Sequence, residues 1–346
     1  MNDTQDVSFG LSGGLGDSLK YFNIDGTEAV HVDVWVEALE DKIVWQDFLR
    51  NTPDFKFNLR GPDEAVSEDG KVSTGCDRLF ALEKQGVITL GKDSIFCLDS
   101  DDSFIKSFVP GYQSKKLPRD HVYVTSIYAI DNAFLYLDHV DSSLTGNVCQ
   151  GEHNIKVMPS KLILDISRVV YEAYVALSYI EAMGRSREFS LARKAVHESL
   201  SRLSSMSFDN YDKCEVFKAF AAELSGISQA ASAAVEKIGS EGFSAFQQEL
   251  TRAGVSEKNI YLFVRGHNIF DVVTELFDAV SLHYKSLEIN RLKGLYPNST
   301  DKVAHVEELW QRFSVFLKTK FTMGRVPVPF LQQSLQRLSG DYSIQN

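Results

Sequence analysis

The sequence predicts an α/β fold, a mostly parallel sheet flanked by helices, followed by an all-helical C-terminal domain. Short runs rich in β-branched and aromatic residues alternate with helical patterns in the first half of the chain. After about residue 160 only the helical period remains. Gly146, Gly151 and Pro159 mark the join between the two patterns. We therefore expect a flexible N-terminal arm over 1–28, the α/β domain over 29–150 and the helical domain over 151–346.

The elements of the first half are short. HVDVWV at 31–36 predicts a buried strand, because β-branched and aromatic residues dominate it. DKIVWQDFLR at 41–50 predicts a helix, since its apolar residues recur at helical spacing and Pro53 follows. The same criteria predict strands over 55–59, 94–98 and 121–127, and a helix over 77–85.

The second half carries longer amphipathic segments. The segment over 161–183 places Leu162, Ile166 and Val170 on one helical face, which is typical of a core helix. The same period recurs over 191–203, 212–238, 244–252, 269–292 and 302–320. After Arg325 we expect an extended VPVPF piece, a short helix and a frayed end.

The excess negative charge lies in one half of the chain. The net charge is −11; residues 1–150 hold 25 acidic and 13 basic residues, whereas 151–346 hold 22 and 23. A general basic surface for nucleic acid is therefore excluded, and any phosphate contact must be local or bridged by metal ions. The acidic half is either a solvated surface or a place where carboxylates converge on a cation.

Other residue patterns narrow the function class. The four cysteines have no metal-ligand spacing and indicate reduced thiols. No apolar run is long enough for a membrane span, and no signal peptide is recognisable, so we expect a cytoplasmic protein without membrane contact. The glycine-rich segment Gly10–Gly16 lacks the Lys-Ser/Thr of a phosphate loop and is interpreted as part of a flexible arm.

Carboxylates follow two of the predicted strands. Glu37 comes directly after the strand at 31–36, and Asp99, Asp101 and Asp102 follow the strand at 94–98. If these strands are neighbours in a parallel sheet, their carboxyl ends meet at one edge, where ligands bind in such folds. Hard oxygen donors suit Mg²⁺ or Mn²⁺, which can orient and activate a phosphodiester. Helix capping by the aspartates is the alternative interpretation.

These segments resemble the motifs of TOPRIM domains. Val36-Glu37 with Asp41 is similar to the VEGxxD opening of that family, and Asp99-x-Asp101 is similar to its DxD motif. The sequence also resembles a group of TOPRIM-like nucleases found with AAA/ABC-type ATPases in bacterial defence loci, to which the nuclease subunit of the PARIS anti-phage system belongs. Supporting segments are Tyr128–Asn132 (YAIDN) and Arg265-Gly266-His267. The resemblance covers about residues 30 to 280.

The resemblance implies a role for each matching acid. Glu37 would be the general acid/base and a metal ligand, and Asp99 and Asp101 would hold Mg²⁺ or Mn²⁺. Asp41 would support the loop or a second metal, and Asp102 is a further carboxylate for the metal. The sequence departs from the family at Ala38, where Gly is usual, because Gly allows a turn with positive φ that Ala resists. A non-catalytic TOPRIM fold therefore stays open.

Basic residues near these motifs are candidates for nucleic-acid contact. Lys115, Lys116 and Arg119 form the densest basic cluster of the acidic half, and Arg265 and His267 lie in the helical half. A solvated loop and a helix-entry turn are the respective alternatives.

Together these features predict a metal-dependent nuclease. The resemblance implies a toxic effector of anti-phage defence that acts on RNA, such as tRNA, under the control of an AAA/ABC-type ATPase partner, and a homodimer when active. An interaction module without catalysis and another phosphotransfer enzyme are the alternative functions.

Overall fold

A computed structural model describes residues 28–64, 75–207, 210–298 and 300–344. The segment Gly10–Gly16 lies outside these residues, as does nearly all of the predicted arm. The chain forms two compact units. The first holds the described residues up to Leu98, together with Arg119–Tyr123 and the chain from Leu335 onward; the second holds Asp99–Pro118 and Val124–Ser334.

A four-stranded sheet has the order β2-β1-β3-β4. Its strands are β1 (Val30–Trp35), β2 (Phe55–Arg60), β3 (Ser94–Leu98) and β4 (Val122–Val124). The central strand β1 runs parallel to both neighbours, with Trp35 opposite Arg60 of β2 and Phe96 of β3. The predicted α/β class with a parallel sheet is therefore confirmed, and β1 and β3 are neighbours, which was the condition set for the predicted site.

The strands form where apolar side chains can be buried on the sheet. Val32 and Val34 alternate along β1 and are fully buried, as the two-residue period of a strand requires. The β3 sequence SIFCL is buried from Ile95 to Leu98, which is typical of a parallel strand covered on both faces. The strand predicted over 121–127 is shorter, because His121 and Ser126 adopt positive φ values of 61° and 59°.

Two helices and the C-terminal segment complete the first unit. Helix α1 (Leu39–Phe48) follows β1 and buries Trp45, and α2 (Cys76–Lys84) precedes β3. The Tyr342 ring contacts Phe55 edge-on at 5.0 Å between centroids, and its hydroxyl donates to the Lys92 carbonyl. The end of the C-terminal helix is therefore packed within this unit; the last two residues, where the sequence suggested fraying, lie outside the described residues.

The second unit is helical. Its helices are α3 (Ser103–Lys106), α4 (Ile130–Phe134), α5 (Leu137–Val148), α6 (Pro159–Ile180), α7 (Ser186–Arg202), α8 (Glu215–Ile238), α9 (Ser240–Arg252), α10 (Gly266–Leu295), α11 (Thr300–Leu309) and α12 (Phe313–Lys320), and α13 (Pro329–Tyr342) starts in this unit. Helix α6 lies in the core, with Leu162, Ile166 and Val170 fully buried on the predicted face. In the described part of the chain, no helix combines the length and apolar character that a membrane span needs.

The helical elements differ from the prediction at two places. Helices α4 and α5 were not predicted, because their polar residues dilute the apolar period. The single helix expected over 302–320 is interrupted between α11 and α12, where the Trp310 indole donates to the Ser281 hydroxyl at 2.8 Å.

Candidate functional site

Glu37 lies two residues beyond β1, at the carboxyl end of the central strand. The Asp41 carboxylate, one turn into α1, accepts a hydrogen bond from the backbone N–H of Ala38 at 3.0 Å. This contact satisfies one of the unpaired donors at the helix start and fixes the turn that carries Glu37. The geometry therefore gives Asp41 a capping role.

Ala38 adopts an extended backbone, with φ −143° and ψ 169°. Glycine, which is usual at this position of TOPRIM motifs, is needed where φ is positive. The φ of Ala38 is negative, so this position does not require glycine. Any L-residue adopts this region without strain. Alanine at this position is therefore compatible with the turn after β1.

The loop after β3 is held by hydrogen bonds within the second unit. The Ser100 hydroxyl donates to the carbonyl of Ile127 at 2.5 Å, and the backbone N–H of Asp101 donates to the carbonyl of Tyr128 at 2.9 Å. Asp101 has φ 46°, a left-handed conformation that aspartate tolerates better than most residues. These contacts place the DxD-like residues and the YAIDN segment side by side.

Asp101 forms an ion pair with Lys116. The ammonium lies 2.6 Å from the carboxylate, and the lysine side chain is 6% exposed whereas that of Asp101 is 48% exposed. Lys116, which the sequence suggested for nucleic-acid contact, is thus buried with its charge against an acid of the DxD-like motif.

Asp102 is the N-cap residue of α3, and its carboxylate faces the helical core. It accepts from the Tyr174 hydroxyl at 2.5 Å and pairs with Lys106 at 3.2 Å. The Tyr174 hydroxyl also reaches the carbonyl of Phe263. Burial alone would raise the pKa of Asp102, but the positive charges of Arg193 and Lys106 and these hydrogen bonds lower it below the usual value. Asp102 is therefore ionised and neutralised by its own protein.

The ion-pair network continues to α7. Glu181 pairs with Lys106 at 2.8 Å and accepts two hydrogen bonds from Arg193, both at 2.9 Å. The Arg193 guanidinium stacks over the Tyr174 ring at 4.5 Å, and its Nη1 atom is buried without a hydrogen-bond partner in the described part of the chain. Desolvation by itself would raise the pKa of Glu181, but the hydrogen bonds and charges of Arg193 and Lys106 have the larger effect and lower the pKa below its usual value. The Glu181 carboxyl group therefore stays charged.

An ion pair between Asp131 and His267 joins the YAIDN segment to the RGH segment. The His267 imidazole Nδ1 lies 2.7 Å from the Asp131 carboxylate, and the histidine side chain is 76% exposed. A carboxylate on Nδ1 orients the ring and presents Nε2 to solvent, which is the arrangement of a proton-transfer or metal-binding histidine. Lys318 lies 3.7 Å from the other Asp131 oxygen.

Gly266 allows the close approach of these motifs. A Cβ atom there would lie 2.7 Å from the Asn132 side-chain oxygen and 3.2 Å from the Cβ atoms of Ala129 and Asp131. The Asn132 amide is fixed, because it donates to the carbonyls of Tyr261 and Val264. The resemblance-carrying segments YAIDN and RGH thus form one packed junction.

The other basic candidates are spread over both units. Arg119 belongs to the first unit and forms a bidentate ion pair with Glu83 at 2.7 and 2.8 Å. Lys115 is exposed in the second unit, and Arg265 is exposed at the start of α10. The structure therefore does not gather the five predicted basic residues into one patch within a unit.

Several residues of the second unit were missed by sequence reasoning. Tyr174 and Glu181 lie in helical segments where they resemble core or surface positions, and nothing in their local pattern marks them. Arg193 belongs to a basic cluster with Arg185, Arg187 and Lys194, which suggested a phosphate-facing or solvated strip, whereas the structure buries it against Glu181. Within the described residues, no three His, Cys, Asp or Glu side chains are gathered as ligands for one metal ion. No protein-family model matches the chain, and no curated protein matches it.

Proposed function

We propose that the protein is a metal-dependent nuclease with a TOPRIM-like domain. The observation that carries this proposal is the parallel pairing of β1 with β3. Parallel neighbours release the chain at the same edge of the sheet, with Glu37 two residues beyond β1 and Asp99 directly beyond β3. The extended backbone of Ala38 supports the proposal as well, because the missing glycine does not distort the turn.

Glu37, Asp99 and Asp101 would hold Mg²⁺ or Mn²⁺, which suits a set of hard oxygen donors. Because the described residues include no three such side chains already gathered around one point, binding of the ion would have to draw these carboxylates together. The metal ion would supply electrostatic stabilisation to the phosphodiester as charge develops. Glu37 would carry a proton at its carboxylate. Asp41 and Asp102 would hold the two loops rather than the metal, since one caps α1 and the other is neutralised within the protein.

The substrate and the biological setting rest on the resemblance alone. We propose RNA, such as tRNA, as the substrate, an AAA/ABC-type ATPase as the controlling partner, and a homodimer as the active form in anti-phage defence. Lys115, Arg119, Arg265 and His267 would contact phosphates, while buried Lys116 would do so only after leaving Asp101.

A non-catalytic interaction module is the second candidate. The observation that favours it is the Asp101–Lys116 ion pair, in which an internal ammonium already neutralises the carboxylate that would face a metal. In such a protein the loop after β3, with Asp99, Asp101 and Asp102, would have a structural role only.

The two functions differ in metal-dependent cleavage. The purified full chain is incubated with Mn²⁺ or Mg²⁺ and end-labelled tRNA or DNA, with Glu37→Gln and Asp99→Asn as test variants. Glu40→Gln is the matched control, because Glu40 is an exposed carboxylate in the first turn of α1. We expect cleavage by wild type and control and its loss in both test variants, with unchanged circular dichroism. Full activity of Glu37→Gln, or no cleavage and no metal binding by calorimetry, contradicts the nuclease proposal.

A further inference from the structure

A polar pocket opens in the second unit. Its volume is about 500 Å³, and it lies between α7 and the start of α10. The lining residues used below are Lys194, His197, Ser201, Arg202, Arg265 and Asn268. Their side chains supply hydrogen-bond donors, whereas small-molecule pockets are usually dominated by apolar side chains.

Positive charge dominates the lining. Lys194, Arg202 and Arg265 face a single lining carboxylate, Glu198, which lies 3.3 Å from Lys194. Arg202 pairs with a residue of α8, whereas Arg265 forms no ion pair or side-chain hydrogen bond with any residue in the described ranges. The pocket therefore contains a guanidinium whose charge is not neutralised by the protein.

The uncharged side chains of the lining are hydrogen-bonded to one another. The Asn268 amide donates to the Ser201 hydroxyl at 2.7 Å and to the His197 carbonyl at 3.4 Å, and the Ser201 hydroxyl donates to the same carbonyl at 3.1 Å. These contacts hold the wall of the pocket in place, and the cationic side chains are the donors that face a ligand.

Helix α10 adds the positive end of its dipole. The helix runs for 30 residues from Gly266, and its N-cap residue Arg265 makes no side-chain capping bond. Unpaired backbone N–H groups at such a start favour anions. Asn268 belongs to this first turn, so the helix start and the cationic side chains act on the same space.

We propose that this pocket binds the phosphate group of a phosphate monoester. A monoester phosphate is a dianion near neutral pH and presents three acceptor oxygens, which match the cationic side chains of Arg265, Lys194 and Arg202. A monocarboxylate carries a single negative charge and would neutralise less of the positive charge of the lining. The volume leaves room for the remainder of a nucleotide-sized molecule beyond the phosphate.

Phosphate binding in this pocket does not require the nuclease function. The lining residues all lie in the second unit and none is one of the proposed metal-holding acids, although Arg265 is also one of the proposed nucleic-acid contacts. Binding is therefore measured in EDTA, where metal-dependent cleavage cannot occur. Failure of the nuclease assay leaves this test unaffected, and the reverse also holds.

The test uses the full chain and calorimetry with uridine 5′-monophosphate against uridine. We expect the monophosphate to bind and uridine to bind at least about tenfold more weakly. Arg265→Gln is expected to weaken monophosphate binding by about tenfold or more, since a charge-assisted hydrogen bond is lost. Arg325→Gln is the matched control, because Arg325 is an exposed arginine of the same unit outside the pocket. Equal binding of uridine, or unchanged binding by Arg265→Gln, overturns the proposal.

Further measurements identify the source of the phosphate and check the site directly. A 5′-phosphorylated RNA pentamer is compared with its unphosphorylated form; tighter binding than the mononucleotide points to an RNA end, and weaker binding points to a free nucleotide. The imidazole resonances of His197 are expected to shift on addition of the monophosphate. Absence of that shift at saturation contradicts binding in this pocket, even where Arg265→Gln fails to fold.

Discussion

The Lys116 ammonium lies 2.6 Å from the carboxylate of Asp101, so a buried cation faces the second acid of the DxD-like motif. The two partners differ in their surroundings, because the lysine side chain is 6% exposed and the aspartate side chain 48% exposed. Any external cation that binds Asp101 must compete with this ammonium. The Asp101–Lys116 pair therefore affects both the stability of the protein and the binding of a metal ion at the proposed site.

Asp101→Asn is expected to destabilise the protein more than Lys116→Met. The first substitution leaves a buried ammonium beside a neutral amide, at a cost of about 1–3 kcal/mol. The second leaves a carboxylate that water can reach, and we expect a loss below about 1 kcal/mol. Urea unfolding of both variants measures the difference. The reverse order would mean that Lys116 is not buried in solution.

Gly266→Ala is expected to lower the free energy of unfolding by about 1–3 kcal/mol. The added methyl group would meet the fixed Asn132 amide and two Cβ atoms at the junction of the YAIDN and RGH segments. Gly226→Ala is the matched control, because Gly226 lies inside α8 with open space at its Cβ position. That variant should gain about 0.5–1 kcal/mol from helix propensity. Equal effects in thermal unfolding would contradict the close approach.

Much of the sheet followed from the sequence, and the charge network did not. Strands β1 and β3 are short runs of residues that favour burial, so local composition was sufficient to locate them. The Asp102, Glu181 and Arg193 cluster joins Asp102 to two residues that follow it by 79 and 91 positions in the sequence, and only helix packing decides that they meet. Tyr174 shows why local pattern was not sufficient for this cluster. Its neighbours in the sequence are apolar and predict a core position, whereas its hydroxyl donates to Asp102 in the loop after β3.

The packing of the C-terminal helix α13 was unpredictable for a related reason. Its sequence PFLQQSLQRLSGDY predicts a helix, but it does not predict which residues the helix packs against. Asp341 accepts from the Tyr123 hydroxyl at 2.6 Å, and Arg337 stacks over the same ring. Such long-range pairs depend on the shape of the finished sheet rather than on any local pattern.

Stability is expected to fall as the pH drops from about 6.5 to 4, in part through His197. Partial burial and the charges of Arg193 and Arg265 lower its pKa from 6.5 to about 4, against the opposing charges of Asp102 and Glu181. Above pH 6.5 both states are neutral. Below pH 6.5 His197 binds a proton in the unfolded chain but stays neutral in the folded protein, so protonation stabilises the unfolded state.

The expected loss attributable to His197 is on the order of 2 kcal/mol between pH 7 and 5. Urea unfolding at both pH values measures it, and His197→Gln should flatten the slope by that amount. The buried His139, whose pKa is lowered in the same direction by desolvation, accounts for part of the remaining slope. His305→Gln is the control, since His305 is exposed. An unchanged slope in His197→Gln would contradict the assignment.

Ala38→Gly tests whether the departure from the TOPRIM motif matters. The residue is exposed and extended, so glycine relieves no strain there. We expect stability to change by less than about 1 kcal/mol, because glycine is a somewhat better N-cap residue than alanine but is more flexible when unfolded. Metal-dependent cleavage, measured on the same labelled RNA, should stay within about threefold of wild type, since less than about 0.7 kcal/mol of transition-state stabilisation is at stake. A large gain in cleavage rate would show that the turn after β1 works through a positive φ that alanine denies it.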